Sequence, residues 1–146
     1  MKALRLHDVL KEIPSDISTE FSHIDHMYTG SLSEYYYVRF DQALEAVHPD
    51  PTDRVLEIGG GTGLFTLTLS QLVGEVHFSD ISREAPLFLT PRHLFESAEI
   101  DDSSVSYAAA DTTSLPYATN TFDLVFVLDV LEHVPDERTA ISEISR

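Results

Sequence analysis

Residues Val55 to Gly63, reading V-L-E-I-G-G-G-T-G, constrain what this chain can fold into more than any other segment. An apolar run carrying one acid, Glu57, and followed by glycines at alternate positions, Gly59, Gly61 and Gly63, describes a buried parallel strand turning sharply into a helix. Glycines suit such a turn for two reasons: it needs φ values that side chains resist, and a ligand must come close to bare backbone where the next helix offers unpaired N–H groups. Leu64, Phe65, Leu69, Leu72 and Val73 then recur at helical spacing, and Gly74 stands where a helix C′ residue belongs. The spacing therefore predicts a strand, a cofactor loop and a helix in succession.

Glycine spacing separates the cofactor classes that use such a loop. The dinucleotide fingerprint G-x-G-x-x-G/A needs a small residue at position 64 in one register and at 66 in the other, where this chain has Leu64 and Thr66. Both registers fail, which argues against a nicotinamide-dependent oxidoreductase. The remaining pattern, E-x-G-x-G-x-G from Glu57 to Gly63, resembles motif I of the class I S-adenosylmethionine-dependent methyltransferases.

That resemblance implies an α/β Rossmann-like sheet and gives roles to residues further along the chain. A second strand is predicted over Glu75 to Ser79, ending in Asp80, which in the family accepts both ribose hydroxyls of the adenosine, with Ile81 beside it. Asp80 also reads as a plain helix N-cap. A third strand, about Ser104 to Ala108, leads to Asp111, which in the family meets the adenine amino group while the N–H of Thr112 meets a ring nitrogen. By itself Asp111 reads equally as a turn residue bonding its own backbone near Thr113. The cofactor-binding set implied is Glu57, Gly59, Gly61, Gly63, Asp80, Ile81, Asp111, Thr112 and Asp129.

The fourth strand, F-D-L-V-F-V-L from Phe122 to Leu128, is apolar enough to be buried on both faces of a parallel sheet. After it, D-V-L-E-H-V-P-D from Asp129 to Asp136 resembles the segment after strand four in the type 11 methyltransferase group, where Asp129 and Val130 would border the methionine end of the cofactor. His133 is a candidate general base, because transfer to oxygen or nitrogen can require removal of a proton. The alternative is that the Glu132–His133 pair braces the loop beneath the site.

Residues 1–50 read as a helical preface to a cofactor-binding unit over 51–146. Leu6, Val9, Leu10 and Ile13 mark one amphipathic helix. A second begins at the capping-box pattern Ser31-x-x-Glu34, ends at His48 before Pro49, and carries the apolar stripe Tyr36, Phe40, Ala43, Leu44 and Val47. Within the cluster Tyr35, Tyr36, Tyr37 and Phe40 most rings belong to the core, while Tyr28 or Tyr35 could close over a cofactor, as amino-terminal segments do in the family. His23 and His26, with Asp25, have helical ligand spacing but lack the further ligands and cysteines of a zinc site, so no metal is expected.

Acids outnumber bases 25 to 9, with Lys2 and Lys11 the only lysines, for a formal net charge of -16. Such a surface repels polyanions, which disfavours nucleic acid and favours a small-molecule methyl acceptor. No apolar run is long enough to cross a membrane and the start lacks a signal-peptide core, so a cytoplasmic protein is expected. The same bias fits a halophilic source. In that case the melting temperature should climb steadily from low to molar salt as self-repulsion is screened, whereas a flat or falling trend would require another cause for the acidity.

The segment T-A-I-S-E-I-S-R, Thr139 to Arg146, resembles the family's helix after strand four. The family's sheet order is 3-2-1-4-5-7-6, so strands 3-2-1-4 are expected here and strands five to seven are not in the sequence. On that reading the fourth strand is an apolar edge, covered by a second copy in a homodimer or by the amino-terminal helices. The expected function is methyl transfer from S-adenosylmethionine to a small-molecule acceptor, and the alternative is a non-catalytic cofactor-binding or scaffold module completed by a partner or a second copy.

Overall fold

The computed structural model describes residues 31–81, 91–92, 95–96 and 99–146. Their elements are α1 (Ser31–Val47), β1 (Arg54–Ile58), α2 (Leu64–Ser70), β2 (Glu75–Asp80), β3 (Val105–Ala109), β4 (Leu124–Val127), a 3-10 turn over Leu131–His133 and α3 (Glu137–Ile144). The strands form one four-stranded sheet in the order β3-β2-β1-β4. Every pairing is parallel, with Ile58 opposite Ser79 on one side of β1 and Val127 on the other. Parallel neighbours need crossovers over a sheet face, so the carboxyl ends of all four strands, and the loops that leave them, meet at one edge.

Alternation along β1 divides the core in two. Val55 belongs to the cluster that includes Phe40, Leu64, Phe65, Leu69, Val76 and Phe126, while Leu56 and Ile58 pack with Ala110 and Leu115 on the other face. Helix α2 lies on the first face with Leu64 to Leu69 all buried. Phe65 stacks on Phe40 of α1 at a centroid distance of 4.6 Å and meets Phe126 of β4 edge-on at 5.0 Å, tying two helices to the sheet. Each fully buried ring of this kind contributes roughly 2 to 3 kcal/mol from area alone.

Several boundaries differ from expectation. Helix α2 ends at Ser70 with Gln71 as its cap, so Gly74 is not its C′ residue. Instead the Gly74 N–H donates to the Asp53 carbonyl at 3.0 Å, and a side chain there would press on Pro51, Thr52 and Asp53 oxygens. Val47 is 44 % exposed and leaves the apolar stripe, because α1 unwinds at His48 (φ 49°), whose N–H still bonds the Leu44 carbonyl. Strand β4 is only four residues long, and among them only Phe126 is buried, since β4 has a neighbour on one side alone. Helix α3 starts at Glu137, capped by Asp136, whose Oδ1 accepts from the Thr139 N–H at 3.1 Å and whose Oδ2 accepts from the Thr139 hydroxyl at 2.7 Å. The helix expected over Leu6 to Ile13, the His23–His26 pair, Tyr28, and the side chains of Ser31, Glu34 and Tyr37 lie outside the described residues.

Candidate functional site

The glycine loop is wired to β2 by its own amides. Gly59 and Gly60 both donate to the Ser79 carbonyl, at 2.8 and 3.1 Å, Gly61 donates to Asp80 Oδ2 at 3.1 Å, and Gly63 donates to the Gly60 carbonyl at 2.8 Å. The N–H groups of these four glycines are therefore engaged within the fold, which leaves the expectation for the first turn of α2 untouched. A loop whose donors are spent internally, beside an aspartate, is a poor cradle for a pyrophosphate. This agrees with the failed dinucleotide spacing.

Each glycine has a separate reason to be one. Gly63, at φ 79°, is the left-handed N-cap of α2, and a Cβ on it would stand 2.5 Å from Pro91 Cβ. A Cβ on Gly59 would lie 2.2 Å from Val130 Cγ2. Gly61, at φ 52°, is the exception: its nearest neighbour would be the Gly59 carbonyl at 3.9 Å, leaving space on that side of the backbone. Gly63 thus serves packing rather than lining a cavity, while Gly61 is open to an approaching molecule.

Two cavities meet at the carboxyl edge of the sheet. The wider, about 500 Å³, is walled by Ile58, Gly59, Asp80, Ile81, Asp111, Thr112 and Thr113, and on the far side by Asp129, Val130 and His133 to Asp136. The narrower, about 160 Å³, lies under α1 and is lined by Tyr36, Phe40, Glu57, the run Ile58 to Thr62, Leu64, Phe65, Leu128 and Asp129. Ile58, Gly59 and Asp129 belong to both walls, so a long molecule could pass from one cavity to the other. Nine of the ten residues expected at the site are lining residues of one cavity or the other, Gly63 being the exception.

The acids here differ in state. Glu57 projects to the α2 face of the sheet, is 6 % exposed, and accepts a hydrogen bond from the Thr66 hydroxyl. Burial, opposed by that bond and helped by the charge of Asp80, pushes its carboxyl up to about 7. Asp111 is exposed, and its Oδ1 accepts from the Thr113 N–H at 2.8 Å and the Thr113 hydroxyl at 2.7 Å, which holds its carboxyl below the usual range. The turn reading of Asp111 is thereby realised. It leaves Oδ2 outside those two bonds, so a turn role and a ligand role can coexist.

Asp129 follows β4 in a left-handed conformation, φ 56°, which Asp tolerates better than most residues. Its Oδ1 pairs with Arg39 Nη1 of α1 at 2.7 Å, and the same nitrogen donates to the Tyr35 hydroxyl. Arg39 carries no sequence signal for this pairing, since nothing local links residues so far apart in the chain. Tyr35 is 48 % exposed, and it is Tyr36, assigned to the core stripe, that lines the narrow cavity. His133 and Glu132 are both exposed on the 3-10 turn, with His133 on the wall of the wide cavity. Among the described residues no group of three or more His, Cys, Asp or Glu could hold a metal ion.

Comparison with known proteins gives the family. The profile of the family described as "Methyltransferase domain", type 11, matches residues 56–146. The chain is 35 % identical over 99 residues to the ubiquinone/menaquinone biosynthesis C-methyltransferase UbiE of Teredinibacter turnerae, covering 66 % of this chain and 39 % of that protein. It is 25 % identical over 145 residues to the O-methyltransferase resE of Aspergillus sclerotiorum, covering 97 % of this chain and 54 % of that one. Among solved structures it resembles phosphoethanolamine N-methyltransferase 2 of Haemonchus contortus in complex with S-adenosyl-L-methionine, with a TM-score of 0.61 and 27 % identity over 73 % of this chain and 24 % of that one. The chain thus spans from a quarter to about half the length of these relatives. It belongs to the type 11 methyltransferase domain family, on a Rossmann-like sheet.

Proposed function

We propose that the wide cavity holds the adenosine of S-adenosylmethionine and that the chain contributes the cofactor half of a methyl transfer to a small-molecule oxygen, nitrogen or carbon nucleophile. The observation that carries this reading is the gathering of Asp80, Asp111 and Asp129, each at or just past the end of a different strand, around one 500 Å³ space beside the open backbone of Gly61. Acids and spent amides suit neutral hydroxyls, an amino group and a cation rather than phosphates. When bound, the cofactor supplies a methyl group already made electrophilic by a sulfonium.

The protein's tasks are then to bind, orient and exclude water. Asp80 accepts from the ribose hydroxyls, and its bond to the Gly61 N–H fixes the carboxylate at the loop. Asp111, kept ionised by Thr113, takes the adenine amino group on Oδ2, with the Thr112 N–H on a ring nitrogen and the exposed Ile81 against the base. His133 stands on the wall where an acceptor would enter and can take a proton from an O–H or N–H nucleophile.

The names of the relatives include carbon, oxygen and nitrogen methyltransferases, which supports small-molecule acceptors as a class. A net charge of -16 speaks against nucleic acid, and among the described residues no helix is long and apolar enough to cross a membrane. A cytoplasmic protein from a high-salt source is consistent with that balance.

Replacing Asp80 by alanine tests the reading. Loss of two charge-assisted hydrogen bonds should weaken S-adenosylhomocysteine binding by roughly 1 to 3 kcal/mol, or about 5- to 150-fold, by titration calorimetry. Unchanged affinity would remove Asp80 from the site. A radiolabelled methyl assay over a set of phenols, amines and enolisable ketones separates a catalyst from the non-catalytic binding module.

A further inference from the structure

We propose that the methyl acceptor is an amine on a small apolar body, received by the wall of the wide cavity that His133 and Asp136 share. This rests on the adenosine placement above and names the acceptor class that the rest of the same cavity fits. Asp80, Ile81 and the Asp111–Thr113 turn line one side, while Val130, His133, Val134, Pro135 and Asp136 line the other. On that second side Val130, Val134 and Pro135 offer contact to hydrocarbon, and the polar groups between them are one imidazole and one carboxylate.

Charge decides which nucleophile suits this wall. Asp80, Asp111, Asp129 and Asp136 all line the cavity, and among the described residues no lysine or arginine does. The Thr139 N–H and hydroxyl bond the two oxygens of Asp136 and hold its carboxyl below the usual range, as Thr113 does for Asp111. Both therefore stay ionised. Arg39 offsets only Asp129 and lines neither cavity. Arg54 pairs with Glu75, Arg146 pairs with Glu143, and the Arg92 guanidinium lies over the Tyr107 ring, so none of them supplies the missing cation.

Oxygen and carbon nucleophiles reach the methyl group by losing a proton, which leaves an oxyanion or an enolate. Here that negative charge would build up facing carboxylates, in a cleft whose walls lessen screening by water. An amine avoids this. It enters as an ammonium drawn by the acids and gives one proton to His133. Its lone pair then forms the N–C bond to the methyl carbon as the C–S bond breaks, leaving sulfur as a neutral thioether and the positive charge on nitrogen. The carboxylates thus face a cation before and after the transfer. His133 is exposed on the 3-10 turn, so its proton can pass on to solvent.

The test uses three ligands of nearly one shape, 2-phenylethylamine, 2-phenylethanol and phenylacetate, titrated at low ionic strength into the full chain saturated with S-adenosylhomocysteine. The amine should bind about 5- to 10-fold more tightly than the alcohol, and the carboxylate more weakly than either. Asp136→Asn, which keeps a favoured helix cap, should cut the amine's advantage about threefold and leave the alcohol unchanged. Glu45→Gln removes an exposed acid of α1 that lines neither cavity and should change nothing, which separates a local contact from general attraction to an acidic surface. Equal affinities for amine and alcohol, an advantage that Asp136→Asn does not reduce, or no binding by any of the three would overturn the assignment. Methyl label reaching a matched phenol in preference to the amine would overturn it too. Failure of S-adenosylhomocysteine to bind the unaltered chain would instead overturn the adenosine placement, and the acceptor class with it.

Discussion

Gly63→Val is expected to cost on the order of 3 to 5 kcal/mol of stability, a large part of what holds a domain of this size together. Its Cβ would sit 2.5 Å from Pro91 Cβ and 3.0 Å from Pro91 Cα, so backbone as well as side chain must move. A β-branched residue must in addition adopt φ 79° at the first turn of α2. Gly61→Val presents the opposite case. With open space around it, the fold should lose only about 1 to 2 kcal/mol to the left-handed conformation, while affinity for S-adenosylhomocysteine falls at least about 100-fold because the side chain occupies the ligand's path. Urea midpoints for both variants, with titration calorimetry for Gly61→Val, separate the roles. Equal stability losses, or normal binding by Gly61→Val, would contradict the division between a packing glycine and a contact glycine.

The second large effect concerns Glu57 and pH. Its carboxyl is pushed up to about 7 in the folded chain, against an ordinary value near 4.5 when unfolded. Between those values the folded state holds a proton that the unfolded state has released, so stability falls as pH rises. The contribution of the protonated group is fully present below about pH 4.5 and is lost as pH passes through 7, for a total of roughly 3 kcal/mol. Glu57→Gln retains a neutral side chain of the same shape at any pH. Relative to the unaltered chain, its unfolding free energy should therefore rise by about 3 kcal/mol between pH 4.5 and pH 8.5, with carboxylates common to both proteins cancelling in the difference. A difference that stays constant over this range would place Glu57 as an ordinary ionised carboxylate.

Much of the site could be read from local sequence because it is built from strand ends. A parallel strand, a glycine turn and a helix leave a periodic trace at β1 and α2, and acids one or two residues past the last apolar residue of a strand pattern mark Asp80, Asp111 and Asp129 without any knowledge of packing. Glu57 is harder to place, because an apolar run buried on both faces conceals which side each residue occupies. Its burial against Thr66 follows only once β1 is set between β2 and β4. The end of α2 escaped for a related reason: Leu72 and Val73 keep the helical rhythm, yet they are needed by the core after the helix has stopped.

Tertiary pairings left no trace to read. Tyr35 and Tyr36 are neighbours of equal propensity, and only the stacking of Phe40 on Phe65 decides that Tyr36 turns to the glycine loop and Tyr35 to solvent. The ion pair between Arg39 and Asp129 joins residues from either end of the described chain and has no periodic or motif signature. Gly63 belongs to the expected cofactor set, yet what holds it to glycine is its φ of 79° and Pro91, brought against it by the fold rather than by sequence neighbourhood.

The most direct test of the account is a crystal structure of the chain with S-adenosylhomocysteine. The predicted density places the ribose hydroxyls within hydrogen-bonding distance of Asp80, the adenine between Ile81 and the Asp111–Thr112 turn, and the thioether beside Gly59 and Asp129, with the amino-acid end under α1. A ligand seated elsewhere, or one whose ribose lies away from Asp80, would contradict it.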